Sequence, residues 1–178
     1  MTDHPPTGNA PRRSALVVTV SNRASAGVYS DTSGPVAVEG LRDMGFRVDG
    51  PVVVPDGDPV EEALRDAVAA GYDVVVTNGG TGLSPLDLTP ERTLRVLDYL
   101  VPGVPEAIRA AGAAKGVPTA VLSRGVAGVA GRTVVVNLPG SVGGVRDGVA
   151  VLAGFLVHAV EQVHGGDHPR VPSAGAGR

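Results

Sequence analysis

Residues 15–20, Ala-Leu-Val-Val-Thr-Val, are so nearly continuous in apolar and β-branched side chains that they predict a strand covered on both faces. Residues 46–54 and 73–77 share that character and predict a second and a third strand, the second ended by Pro55-Asp56-Gly57. Between these runs the period lengthens. Val36, Val38, Leu41 and Met44 are spaced for a helix over 34–44, and Leu64, Ala67 and Val68 for one over 60–70 that Gly71 stops. Thr89-Pro90-Glu91 offers a capping oxygen, a proline at the first helical position and an acid in the first turn, predicting a helix through Leu100. Pro102 and Pro105 restart the chain as a further helix around 106–113. Two short β-rich segments, 119–122 and 133–136, flank a stretch with three glycines and predict a hairpin or a pair of adjacent strands. From Ser141 onward, Val142, Val145, Val149, Leu152, Leu156, Val160 and Val163 recur three or four apart, predicting one long amphipathic helix closed by Gly165 and Gly166.

Strands alternating with helices in this way predict an α/β fold, a three-layer α/β/α sandwich with a mostly parallel central sheet, in which ligands gather at the carboxyl ends of strands. With 178 residues, 43% of them hydrophobic, the chain can bury one sizeable core, which places a single domain at 14–164. The polar, proline-containing segment 1–13 and the Gly/Pro-rich tail 165–178 have little to bury and are expected to be flexible. Aromatics make up only 3% and tryptophan is absent, so the core must be built from Val, Leu and Ala. The absence of cysteine removes disulfides, thiolate metal sites and thiol nucleophiles from consideration. A formal charge of -3, with scattered arginines and a single lysine, Lys115, argues against a nucleic-acid partner. The apolar run at 15–20 is too short for a signal peptide or a membrane span, and the expectation is a cytoplasmic protein with no membrane partner.

The chemistry should therefore lie in the loops that follow strands. Thr77-Asn78-Gly79-Gly80-Thr81-Gly82 has three glycines that let a backbone turn its N–H groups toward an anion, and phosphate binding is the functional reading. A turn without a ligand is the plain alternative. Neither the Walker pattern nor the dinucleotide fingerprint is present in this loop. Asn137-Leu138-Pro139-Gly140-Ser141 is a second anion candidate, since Ser141 begins a helix whose first N–H groups are free; an ordinary helix cap explains it equally. Together the two loops suit a ligand with several phosphates, such as a nucleotide. Asp56 and Asp87 follow the second strand and the glycine loop, and paired carboxylates beside phosphates suggest Mg²⁺, although each also fits simple turn or capping chemistry. The loop at 21–27 contributes Ser21, with Asp31 shortly after, while Ser123 and Arg124 follow another short apolar segment. The four histidines lie in the terminal segments or on and beside the last helix and read as structural or solvated. No Gly-x-Ser-x-Gly elbow occurs, which leaves displacement at phosphorus better supported than acyl transfer.

The set Val20-Ser-Asn-Arg-Ala-Ser-Ala-Gly27, Ser30-Asp-Thr-Ser-Gly34, Asn78-Gly-Gly-Thr-Gly82, Asp87-Leu-Thr-Pro-Glu91 and Asn137-Leu-Pro-Gly-Ser141 closely resembles the Mog/MoaB molybdopterin-binding family, in order and spacing over about residues 14–164. The resemblance implies a molybdopterin adenylyltransferase, which uses Mg²⁺ to join AMP from ATP to the terminal phosphate of molybdopterin and releases pyrophosphate. Metal insertion would follow on a separate molybdenum-insertion protein. It implies that Asp56 and Asp87 are the functionally important aspartates, that Gly79, Gly80, Thr81 and Gly82 cradle phosphate, and that Ser141 lies at the second ligand loop, together with Ser21, Ser123, Asn137, Pro139 and Gly140 around the ligands. It also implies a homotrimer. The alternatives are a related chain that binds molybdopterin without adenylylating it, a nucleotide or pyrophosphate hydrolase, and an interaction scaffold. The chain departs from the family pattern at Asn22, where many members have aspartate, and at Pro85-Leu86, where many have a basic residue before the aspartate.

Overall fold

The computed structural model describes residues 13–166. Its strands are β1 Ser14–Val20, β2 Arg47–Val54, β3 Val74–Asn78, β4 Tyr99–Leu100, β5 Ala127–Ala130 and β6 Thr133–Leu138. They form one six-stranded sheet in the order β2-β1-β3-β6-β5-β4. β2, β1, β3 and β6 run parallel, β5 runs antiparallel to β6, and β4 runs antiparallel to β5. The helices are α1 Asn22–Ser25, α2 Gly34–Asp43, α3 Asp58–Ala69, α4 Thr89–Leu94, α5 Gly103–Ala114, α6 Val142–Leu152 and α7 Leu156–Val163. The segments expected to be flexible, 1–13 and 165–178, lie outside the described residues except for Arg13, Gly165 and Gly166.

The continuous apolar runs are explained by what covers each face. Along β1, Ala15 and Val17 enter one core, built with α2, α5, α6 and α7, while Leu16, Val18 and Val20 enter the other, built with α3. The alternation repeats in β3, where Val74 and Val76 face the first core and Val75 the second, and in β6 with Val134 and Val136 against Val135. Consecutive positions in the middle of these strands are therefore apolar although the side chains still alternate. Each fully buried valine contributes on the order of 2 kcal/mol, so these three central strands make the rigid floor on which the loops are mounted.

Three predicted elements differ in the structure. The helix begun by Thr89 ends at Leu94, and Tyr99–Leu100 pairs instead as an edge strand with β5. Residues 118–122 form a 3-10 turn rather than a strand, with Pro118 at its start, where a missing N–H costs nothing. The hairpin is real, but its first strand is Ala127–Ala130, in the glycine-containing stretch read as a connection. There, a Cβ on Gly128 would stand 2.3 Å from the carbonyl oxygen of Tyr99, so the edge strand approaches only because this position has no side chain. The long C-terminal helix is two helices, broken across residues 153–155 with a bend of 58°. The three- and four-residue spacing survives the break because Leu152 and Leu156, on either side of it, are both fully buried. Among the described residues no single helix is long and apolar enough to cross a membrane.

Candidate functional site

The carboxyl ends of β1, β2, β3 and β6 carry the loops that make the site. After β3, Gly79 has φ +107 and Gly80 φ +63, conformations open to glycine and strained for other residues. Close approach adds a second reason: a Cβ on Gly79 would stand 2.2 Å from the Val20 carbonyl oxygen. After β6, the Leu138 carbonyl accepts the Gly79 N–H at 3.1 Å. A Cβ on Gly140 would lie 3.1 Å from the Gly79 Cα. The two glycine loops, taken together in the sequence as suiting one ligand, thus touch and share one lip.

Asp56 and Asp87 line the same cleft beside that lip, a cleft of about 640 Å³ that also takes in Ser21, Gly79, Gly80, Gly140 and Ser141. The Asp56 carboxylate accepts the Gly57 N–H at 2.7 Å and the Leu88 N–H at 3.1 Å, and Thr89 Oγ1 donates to it at 3.4 Å. Burial pushes its pKa above the usual carboxylate range; the N–H groups of Leu88 and Gly57 pull it back, and the negative charge of Asp87 raises it further. Asp87 closes the turn Ser84-Pro85-Leu86-Asp87: its N–H donates to the Ser84 carbonyl at 2.9 Å, and its carboxylate accepts the Ser84 N–H at 3.1 Å. Pro85 occupies the second position of that turn, which suits its fixed φ. Thr89 was expected to cap α4, but the capping position is Leu88 and Thr89 is the first helical residue. The Thr89 hydroxyl is taken by Asp56 instead, so this threonine serves the site and not the helix.

A second cleft, about 490 Å³, opens on the other side of the lip and is lined by Thr81, Gly82, Ser123 and Pro139 with apolar Ile108 and Leu122. The two clefts share Gly80, Asp87, Gly140 and Ser141. Ser141 caps α6, accepting the Gly144 N–H at 3.0 Å, so its hydroxyl has a helical duty while its backbone stands at the meeting point. Ser21 likewise caps α1 and lies 3.0 Å from the Tyr29 hydroxyl. Ser123 Oγ donates to Thr81 Oγ1 at 3.3 Å.

Asn137 is placed differently. Its side chain is buried among the strands, donating to Thr77 Oγ1 at 2.9 Å and Thr93 Oγ1 at 3.0 Å and accepting the Val126 N–H at 3.1 Å. It lines neither cleft and instead ties β6 to β3 and α4 behind the glycine loops. Asn137→Ala leaves three polar groups without this partner and is expected to cost roughly 3 kcal/mol, read as a lower urea midpoint at unchanged m-value.

Two groups were not singled out as site residues by sequence reasoning. Thr19, Asp31, Ser33 and Asn78 form a network in the wall of the first cleft: Thr19 Oγ1 donates to Asp31 at 2.6 Å, Asp31 accepts the Ser33 and Gly34 N–H groups at 3.0 and 2.9 Å, and Asn78 Nδ2 donates to Ser33 Oγ at 2.8 Å. Its sequence signals are the Ser30-Asp-Thr-Ser-Gly34 motif before a helix and the Asn78 that opens the glycine loop, both among the motifs that carry the family resemblance. Asn22 is the other: its side-chain oxygen accepts the Asp56 N–H at 2.9 Å, linking the first loop to the first carboxylate. The described histidines, His158 and His164, line neither cleft; His4 and His168 lie outside the described residues.

A metal ion here would meet oxygen donors only. Gly80 and Gly82 leave space above the carboxylates, since a Cβ on either would fall 2.2 Å from Asp56 Oδ2 or 2.7 Å from Asp87 Oδ2. Among the described residues no cluster of three or more His, Cys, Asp or Glu side chains could enclose an ion. Two carboxylates with further ligands from water and phosphate fit Mg²⁺, which keeps much of its hydration.

A mostly parallel α/β sheet with two touching glycine loops and a carboxylate pair beside their lip places this chain among α/β proteins whose site lies at the carboxyl ends of the strands. Residues 16–158 match the model of the MoCF_biosynth family, the probable molybdopterin binding domain. The molybdopterin biosynthesis Mog protein from Mycobacterium ulcerans is 56% identical, with a TM-score of 0.81 covering 85% of this chain and 99% of that one. The molybdopterin adenylyltransferase of Helicobacter pylori (strain J99) is 34% identical, matching 84% of this chain and 86% of its own length. A molybdenum cofactor biosynthesis bifunctional protein of Chlorobaculum tepidum is 38% identical over 89% of this chain. The chain spans about half the length of such bifunctional relatives, 50% and 53% in two of them. The chain belongs to the molybdopterin-binding domain family.

Proposed function

We propose that this chain is a molybdopterin adenylyltransferase, transferring AMP from ATP to the terminal phosphate of molybdopterin with Mg²⁺. The observation that carries the reading is the pair of clefts meeting at Gly80, Asp87, Gly140 and Ser141, an arrangement suited to two ligands whose phosphates must come together. Relatives in Helicobacter pylori and Pyrococcus furiosus named molybdopterin adenylyltransferase support it. The reading extends to a cytoplasmic homotrimer that delivers its product to a molybdenum-insertion protein.

An oxygen of the pterin's terminal phosphate attacks the α-phosphorus of ATP, the bond from that phosphorus to the bridging oxygen of the β-phosphate breaks, and pyrophosphate leaves. No covalent enzyme intermediate is needed. The work of the protein is positioning and charge neutralisation. The Gly79 N–H is taken by the Leu138 carbonyl, so an anion would meet the left-handed backbone from Gly80 onward, and the start of α6 adds its dipole beside it. Asp56 and Asp87 would hold Mg²⁺, which when bound neutralises phosphate charge as the two anions approach. Asn22 on α1 and the Thr89 hydroxyl on α4 hold the Asp56 loop from two sides so that this carboxylate keeps its place.

Incubating the protein with molybdopterin, ATP and Mg²⁺ and following the pterin by mass spectrometry tests the proposal. Adenylylated pterin that forms only with ATP is the expected result. Pterin that binds but stays unmodified would overturn the transferase in favour of a binding protein.

A further inference from the structure

The turn that carries Asp87 projects from the protein. Leu83 and Leu86 are 64% and 67% exposed, so the hydrophobic core does not hold it. Its internal hydrogen bonds, between Ser84 and Leu86 or Asp87, stiffen the turn without fixing where it stands. Besides the Asp56 carboxylate, which holds the N–H of the following Leu88, the side chain that ties the turn to the body is Arg124, from the segment before β5. Arg124 Nε donates to the Gly82 carbonyl at 2.8 Å, its Nη2 donates to the Asp87 carbonyl at 2.6 Å, and its Nη1 pairs with the Glu91 carboxylate on α4. The Arg124 backbone N–H also donates to the Thr81 carbonyl at 2.8 Å. A planar guanidinium presents these donors in one fixed fork that a lysine cannot copy. Arg124 lines neither cleft.

We propose that Arg124 is a positioning residue: by gripping the carbonyls at both ends of the 82–87 turn it sets where the Asp87 carboxylate stands at the junction of the clefts. The kinetic part of this inference rests on the adenylyl-transfer reading; the structural part does not. Arg124 acts through the turn and touches no ligand. A carboxylate displaced by about 1 Å can lose roughly a hundredfold in rate, and the loss should fall on kcat, because the walls of both clefts remain in place.

The test has an arm independent of function and a kinetic arm. Amide hydrogen exchange across residues 83–88 of the unliganded protein should quicken at least about tenfold in Arg124→Ala and in Arg124→Lys while the strands keep their protection. In the transfer assay, Arg124→Ala should lose about a hundredfold in kcat with KM for ATP within about twofold, and added guanidinium should restore part of it. Glu91→Gln, which leaves both carbonyl contacts, should remain within about threefold of wild type. Unchanged exchange at 83–88 overturns the proposal, as does an Arg124→Ala kcat within about twofold of wild type. Absence of transfer in wild type would sink the adenylyltransferase reading and leave the exchange arm to decide the brace.

Discussion

Asp87→Asn is expected to lower adenylyl transfer by about a hundredfold or more, a loss near 3 kcal/mol of transition-state stabilisation. The substitution keeps the shape of the side chain, and an amide oxygen can still accept the Ser84 N–H, so the turn should persist and the fold with it. What disappears is the charge of the one carboxylate among the residues that the two clefts share. The pH dependence supplies a check that a simple folding defect would not reproduce. Burial raises the Asp56 pKa, so the protonated carboxyl is the form the fold favours. The stability it contributes is complete below its unfolded pKa and is lost as pH rises through the higher folded value. The Asp56 carboxyl of the Mg²⁺-free protein should therefore titrate above the ordinary aspartate value. Asp87 is one of the groups pushing Asp56 upward, so in Asp87→Asn that titration should move to lower pH. Carbon-13 NMR titration of both proteins without Mg²⁺ tests this; a titration that stays put would mean that the two carboxylates are not coupled at the site.

Gly79→Ala should be the most damaging single substitution in the glycine loops. Two costs add. A residue with a side chain at φ +107 is strained by roughly 1–3 kcal/mol. The new Cβ would also lie 2.2 Å from the Val20 carbonyl oxygen, which belongs to a strand at the centre of the sheet and cannot move cheaply. Overpacking of that kind adds about 1–3 kcal/mol, and the total, roughly 4 kcal/mol, is a large part of a typical domain's stability. Gly27→Ala is the natural comparison, because that glycine also has positive φ, +72, but a Cβ there meets nothing within 4 Å. It should cost only the backbone strain, about 1–2 kcal/mol. Urea unfolding of the two variants separates the terms, and equal midpoints would show that the Val20 contact carries no weight.

How far the sequence could be read depended on the kind of signal each element gives. The parallel strands were legible because valine runs with both faces buried leave no polar residue to confuse the period, and β1, β3 and β6 all begin and end within about two residues of their predicted limits. β4 was not, since a two-residue edge strand is made by its partner: Tyr99 and Leu100 pair only because Gly128 lets them approach. The break between α6 and α7 was hidden because Leu152 and Leu156 keep helical spacing across it. In the site, glycine clusters after strands announced themselves, and so did the aspartates beside them. The jobs of the polar residues did not. Asn137 reads like a loop residue but is buried by contacts with Thr77 and Thr93, 60 and 44 positions away. Arg124 stands in the sequence only as a charge after a short apolar segment, yet its partners lie 33 to 42 positions back along the chain. Roles set by long-range partners leave no local trace.

The contact between Gly79 and Gly140 bears on how such a lip can change over time. Where two side chains touch, growth of one can be absorbed by shrinkage of the other, and a protein can drift through paired substitutions. Here a Cβ on Gly140 would already press on the Gly79 Cα at 3.1 Å, and its neighbour has no side chain to give up. Neither position holds a reserve of volume with which to compensate the other. The lip can be altered only by moving backbone, which means moving the ends of β3 and β6 together.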